Sequence, residues 1–224
     1  MKFVLKLGGF LFPRIMNIKA INQYINLLKK LYYNGHEFVV VTGGGKGARE
    51  YIDIARGVGA REAVCDEIGI DYTRMNARLL ISGMPNEAFQ GVPKTLQQVQ
   101  EFRSNKILVM GGLQPGQSTN AVAALVSELI GAYMLINATD VEGIYDDDPK
   151  INPNAKIFDK ISINDLFEMI VKKQAIAGGY ELFDLLAVTL ISRSKIPTWI
   201  INGKDPGNIE KIIQGKHVGT KIIF

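Results

Sequence analysis

Short apolar runs rich in β-branched and aromatic residues alternate with stretches of helical periodicity along most of the chain, and this alternation is the tightest constraint on its fold. Residues 3–7, 38–41, 107–110, 133–137 and 198–201 read as buried strands. Between the first two, Asn17 stands where it can cap a helix whose Ile18, Ile21, Ile25, Leu28 and Leu31 share one face, with Asn34-Gly35 to end it. Similar patterns occupy residues 47–56, 62–81, 119–130, 163–171 and 184–194. Strands without polar alternation must be covered on both faces, and strands joined through helices run parallel. The expected fold class is therefore α/β, a three-layer αβα sandwich around a largely parallel central sheet. The turn-rich stretch 146–154, with Pro149 and Pro153, is the natural boundary between two lobes of one domain, about 1–138 and about 139–224.

Composition removes several classes of function. Hydrophobic residues make up 47% of the 224 and charged residues 21%, ordinary values for a chain with one substantial core. The net charge of +4, from 26 basic and 22 acidic side chains, is spread along the sequence. Such mild basicity suits anionic small molecules and gives no stripe for nucleic acid. A single cysteine, Cys65, excludes an internal disulfide, and with only His36 and His217 no zinc-type ligand set can be assembled. No run of about 18 apolar residues suggests a membrane span, and no signal-peptide pattern is present, so a cytoplasmic protein is expected.

In open parallel sheets, ligands gather beyond the carboxyl ends of the strands. Three loops at such places are rich in glycine: Lys6-Leu7-Gly8-Gly9, Thr42-Gly43-Gly44-Gly45-Lys46-Gly47, and Gly111-Gly112-Leu113-Gln114-Pro115-Gly116-Gln117-Ser118-Thr119. Glycine lets backbone N–H groups approach phosphate oxygens without interference from a Cβ, and a following helix N-terminus adds partial positive charge. A helix dipole contributes only about 0.3–1 kcal/mol at an exposed site, so a multiply charged phosphate also needs fixed cations. Lys6, Lys46 and Arg49 are the candidates. A P-loop would need glycine where Val40 stands and Ser or Thr where Gly47 stands. A GxGxxA variant begins at Gly43, but no acidic residue ends a strand about 20 residues later, which leaves a dinucleotide fold the weaker reading. Gly116-Gln117-Ser118 fails the GxSxG pattern at Asn120, so serine hydrolase chemistry is not expected.

These segments, together with TDVEGIYDDDPKINPNAK at 139–156, resemble the amino acid kinase superfamily, and within it the archaeal type of UMP kinase most closely. The resemblance covers essentially the whole chain. It implies ATP-dependent phosphorylation of UMP to UDP in pyrimidine nucleotide biosynthesis, with Mg²⁺ carried by the ATP phosphates and a homohexameric assembly. By position it implies that Lys6 contacts the transferring phosphoryl group and that Asp184 organises that lysine. The backbone of Gly8, Gly9 and Phe10 would form the first phosphate cradle, and Gly45 with Arg49 would hold ATP phosphates. Thr139, Tyr145 and Asp148 would meet the adenosine. On the acceptor side Gly44 would approach UMP and Asp66 would receive its ribose hydroxyls. Leu113, Gln114, Pro115, Gly116, Gln117, Ser118 and Thr119 would close around its phosphate and base. Many relatives carry a hydroxyl residue where this chain has Phe10, so only the backbone could serve there.

Each residue also has a plain role open to it. Lys6 could extend from a strand end to solvent, Asp66 and Asp184 could cap helices, and Asp146 to Asp148 could form a solvated turn. Alternative functions are a relative with another acceptor (carbamate, acetylglutamate or isopentenyl phosphate) and a non-catalytic nucleotide-binding member.

Overall fold

The computed structural model describes residues 1–102, 105–174 and 183–224. In chain order its strands are β1 (Lys2–Leu7), β2 (Glu37–Thr42), β3 (Leu108–Met110), β4 (Met134–Thr139), β5 (Lys160–Ser162), β6 (Thr198–Asn202) and β7 (Thr220–Ile223). The helices are α1 (Ile18–Tyr33), α2 (Gly45–Gly57), α3 (Glu62–Ser82), α4 (Leu96–Glu101), α5 (Thr119–Ile130), α6 (Ile163–Gln174), α7 (Leu185–Ser194) and α8 (Gly207–Ile213). The strands form one seven-stranded sheet in the order β3-β2-β1-β4-β6-β7-β5. All neighbours are parallel except β6 and β7, which pair antiparallel.

Alternation along each strand sends side chains to two separate cores. On one face Phe3, Leu5 and Leu7 pack with Ile21, Tyr24, Ile25 and Leu28 of α1 and with Ile209 and Ile212 of α8. On the other, Val4, Val39, Val41 and Leu135 pack against α5 and α7, chiefly Val122, Val126, Val188 and Ile191. Burial on both sides explains why β1, β2 and β4 are mainly apolar, with Lys6 on β1 and Asn137 on β4 as interior polar exceptions. Helix α1 begins where Asn17 accepts from the backbone N–H of Lys19 and Ala20, at 3.0 and 3.3 Å, and ends at Asn34 before Gly35, whose φ is +80°.

The strand order fixes where a ligand can enter. From β1 the chain goes outward through α1 to β2 and then to β3, and α5 brings it back to β4 on the other side of β1. The order of strands reverses between β1 and β4, and the crevice beyond their carboxyl ends is the switch point of the sheet. Lys6 and Gly8 lie there, and the Gly8 N–H donates to the Ala138 carbonyl at 2.9 Å. By alternation Lys6 belongs to the same face as Val4, under α5.

Candidate active site

Two of the three glycine turns touch. The Gly43 N–H donates to the Leu7 carbonyl at 2.8 Å, and a Cβ on Gly9 would lie 2.7 Å from Gly45 Cα. Gly45 itself has φ +71°, and a Cβ there would come within 2.0 Å of the Phe12 carbonyl oxygen. Only glycine fits such a position, because both the backbone conformation and the space exclude a side chain. Gly44 precedes the first turn of α2, and the buried Asn76 of α3 donates to the Gly43 and Gly44 carbonyls at 2.8 and 3.3 Å. Phe10 turns its ring inward, close against Gly203 and 6.0 Å from the Tyr24 ring.

Lys6 stands beside this junction. Its ammonium lies 3.6 Å from where a Gly8 Cβ would be. Burial brings it down to about 8, partly opposed by Asp140 and Asp184, while the positive charge of Arg49 lowers it further. Asp140 is engaged by Lys150 at 2.6 Å; burial alone would raise its carboxyl, but that hydrogen bond and the charges of Lys150 and Lys204 hold it below the usual range. Asp184 is a cap and more. Its Oδ1 accepts from the Ala187 N–H at 2.9 Å to start α7, and its Oδ2 accepts from the Ser118 hydroxyl. Ser118 in turn caps α5, accepting from the N–H groups of Asn120 and Ala121 at 3.1 and 3.0 Å. One serine thus ties the starts of two helices together next to Lys6. Asn137 is the register partner of Lys6 on β4 and is 1% exposed. Its amide donates to Asn120 Oδ1 at 3.3 Å, while its own Oδ1 has no donor among the described residues. A buried carbonyl left in this way costs about 1–3 kcal/mol.

Helix α3 carries the third loop. Asp66 Oδ2 accepts from the Gly116 N–H at 2.8 Å, Thr73 Oγ1 accepts from the Gly112 N–H at 2.7 Å, and Arg74 donates to the Gly112 and Leu113 carbonyls at 3.2 and 3.0 Å. Asp66 does not cap α3, since Arg61 occupies the cap and Asp66 lies inside the helix. It has one oxygen on the loop and so holds the turn at Gly116, whose φ is +77°. Leu113 and Gln117 are half-buried, Gln114, Pro115 and Gly116 are exposed, and Thr119 opens α5. The Gln117 Oε1, like the Asn137 Oδ1, is buried without a donor among the described residues.

The 139–156 segment follows β4. Thr139 uses its hydroxyl locally, donating to the Val141 carbonyl at 3.1 Å and accepting from the Val141 N–H at 3.2 Å. Tyr145 bridges to Ile157, and burial, helped by the Glu142 charge, raises its phenol. The Asp148 carbonyl accepts from the N–H groups of Ile151 and Asn152 at 3.0 and 2.7 Å, and its carboxylate accepts from the Lys150 N–H at 2.9 Å. The Lys150–Asp140 pair draws this turn back to the end of β4. The backbone bridge of Tyr145 and the hydrogen bonds of Asp148 stay within the stretch between β4 and β5. Arg49 and Lys46 are exposed on α2.

The profile of the amino acid kinase family matches residues 1–202. The chain belongs to the amino acid kinase family. It is 45% identical over 224 residues to uridylate kinase of Methanobrevibacter smithii, covering 100% of this chain and 99% of that one. Uridylate kinase of Archaeoglobus fulgidus is 44% identical over 223 residues, 99% of this chain and 100% of its own. The crystal structure of the Archaeoglobus fulgidus uridylate kinase matches with a TM-score of 0.88 at 42% identity, covering 100% of both chains. UMP kinase from Bacillus anthracis, at 23% identity and a TM-score of 0.81, shares the fold. The expected three-layer sandwich is therefore the amino acid kinase fold.

Several residues of this candidate site were not singled out from sequence. Thr73, Arg74 and Asn76 lie on one stretch of α3, and each binds backbone of a glycine loop. Their signal is a polar patch, Thr-Arg-x-Asn, on a helix face that otherwise buries Ile70, Ala77 and Leu80. Asn120 and Asn137 were equally silent.

Proposed function

We infer that this chain is a uridylate kinase that transfers the γ-phosphoryl group of ATP to UMP, giving ADP and UDP in pyrimidine nucleotide synthesis. The observation that carries the reading is the direct contact of the Gly8-Gly9 and Gly43-Gly45 turns beside Lys6, at the switch point of the sheet. Amide-lined turns meeting beside one lysine suit two polyanions placed end to end.

The acceptor phosphate is already anionic at neutral pH, so no general base is needed. One of its oxygens forms the new bond to the γ-phosphorus as the bridging bond to the β-phosphate breaks, and the electron pair leaves on ADP. Lys6 stabilises the charge on the equatorial oxygens, and the glycine turns hold both phosphates in line. Asp184, fixed by Ser118, sets the field around Lys6. Mg²⁺ enters as part of the nucleotide substrate and neutralises charge on its phosphates. Among the described residues there is no cluster of three or more His, Cys, Asp or Glu side chains to cage a metal, and phosphate oxygens are ligands Mg²⁺ accepts readily.

In this reading Gly44, Asp66 and residues 113–119 bind UMP, while Gly8, Gly9, Phe10, Gly45, Arg49, Thr139, Tyr145 and Asp148 bind ATP. The half before about residue 139 is the acceptor lobe and the half after it the ATP lobe. The enzyme works in the cytoplasm as a homo-oligomer. No helix of the described residues is long and apolar enough to cross a membrane. A coupled ADP-release assay across UMP, CMP, dUMP, carbamate, acetylglutamate and isopentenyl phosphate tests the assignment. Turnover is expected with UMP at a kcat/KM at least about a hundredfold above the non-nucleotide acceptors, the margin a site built around polar contacts can provide. Preference for any of the non-nucleotides would replace the acceptor assignment, and ADP release with none would leave a nucleotide-binding protein.

A further inference from the structure

We propose that the side-chain carbonyl of Asn137 seats the Lys6 ammonium when both nucleotides are bound, which makes Asn137 a positioning residue for phosphoryl transfer. Lys6 and Asn137 are register partners on the parallel neighbours β1 and β4. Their side chains therefore leave the same face of the sheet, from strands about 4.8 Å apart. That face is covered by α5, whose first turn holds the Asn137 amide by its nitrogen through Asn120 Oδ1. The tether leaves Oδ1 fully buried and without a donor among the described residues.

Buried acceptors in native proteins are almost always paired, and the exceptions call for a reason. A mobile donor stands on the neighbouring strand at the paired position: Lys6, whose ammonium has three N–H groups to distribute. The carboxylates that act on Lys6 are engaged elsewhere: Asp140 by Lys150, and Asp184 by Ser118 and the Ala187 N–H. Arg49, the other charge that acts on it, repels it. An amide carbonyl orients one N–H without cancelling the positive charge, so the other two and the full charge remain for the phosphoryl oxygens. A carboxylate at this position would neutralise the lysine that the reaction needs charged.

The proposal rests on the reading of the chain as a kinase of ATP and UMP with Lys6 at the transferred phosphoryl; wild-type turnover tests the activity separately, and turnover of Lys6→Met tests the role of Lys6. With an active wild type, Asn137→Leu is expected to lower kcat about tenfold while leaving the KM values of ATP and UMP within about twofold, the size of one charge-assisted hydrogen bond. The alkaline limb of kcat should move to lower pH, since a hydrogen bond to the charged form favours it. Asn137→Asp should also lower kcat, since the carboxylate cancels the charge of the ammonium, and should move the same limb to higher pH. A kcat and limb unchanged in both variants would overturn the proposal, as would a loss of kcat with no movement of the limb. A crystal structure of the wild-type chain with UMP and a non-hydrolysable ATP analogue decides without any variant. Lys6 Nζ should lie about 2.7–3.2 Å from Asn137 Oδ1, and a water holding that oxygen instead would refute the assignment.

Discussion

Replacing Lys6 by methionine should make the protein more stable and nearly inactive. Burial lowers the Lys6 ammonium from 10.5 to about 8 in the folded chain, even with Asp140 and Asp184 nearby. At about 1.4 kcal/mol per pKa unit, keeping the lysine charged at pH 7 costs roughly 3 kcal/mol of folding free energy. Because Lys6 is only part-buried, solvent screening reduces this to about 2 kcal/mol. Methionine has a similar reach and no charge to desolvate, so Lys6→Met should raise Tm by about 4–8 °C for a chain of this size at pH 7. The folded-state value lies below the unfolded one, so the unfolded chain binds the extra proton between pH 8 and 10.5 and wild-type stability climbs through that window. The advantage of methionine is then full below pH 8 and vanishes near pH 10.5. Scanning calorimetry of both proteins without nucleotide, at one protomer concentration and at several pH values from 7 to 10.5, reads this directly. A Lys6→Met protein less stable than wild type at pH 7, or a stability gap that does not shrink with pH, would refute the electrostatic argument. Turnover of the same variant should fall by about a thousandfold or more, because fixed charge at the phosphoryl group is a dominant contribution to such catalysis.

Other expectations follow from the same geometry. The value of kcat/KM should fall above about pH 8 as the free-enzyme Lys6 loses its proton, while the limb of kcat lies higher because bound phosphates favour the ammonium; a kcat/KM flat to pH 9.5 would remove Lys6 from the chemistry. Asp66→Ala should raise the KM for UMP by about tenfold or more and leave that for ATP within about twofold, since it removes both an acceptor and the anchor of Gly116; equal effects in steady-state kinetics would reject the acceptor assignment. Ser118→Ala should cost about 1 kcal/mol in thermal unfolding through the lost cap of α5 and lower kcat about tenfold as Asp184 loses its donor, with Ser118→Thr restoring both.

What could be read in the sequence, and what could not, follows from burial and range. Strands β1, β2, β4 and β6 are buried on both faces and so are mainly apolar runs, interrupted by Lys6 in β1 and Asn137 in β4, and α1 and α5 carry strong caps at Asn17 and Ser118. The edge strand β5 and its neighbour β7 went unread because Lys160–Ser162 and Thr220–Ile223 are short, and each carries a lysine that blurs the pattern. Helices α4 and α8 are likewise too short for a period to show. In the site, the glycine turns and Lys6 were legible because their chemistry is local. Arg74 and Thr73 were not, since their partners Gly112 and Leu113 are distant in the chain and are brought to α3 only by the tertiary fold. The Asp184 carboxylate takes its plain capping role with one oxygen, at the start of α7, and keeps the other for Ser118, a partner too distant in the chain to be read from sequence. For Asp66 the capping role is removed by its place inside α3.

The central claim is that two polyanions meet end to end beside Lys6, and a single molecule can test it. Adenosine and uridine joined 5′ to 5′ through a polyphosphate long enough to span both sites should inhibit competitively against ATP and against UMP, and bind at least about a hundredfold more tightly than either nucleotide, as linked occupancy of two adjoining sites allows. Competition against only one substrate, or affinity no better than that of one nucleotide, would mean that the two sites do not adjoin at Lys6.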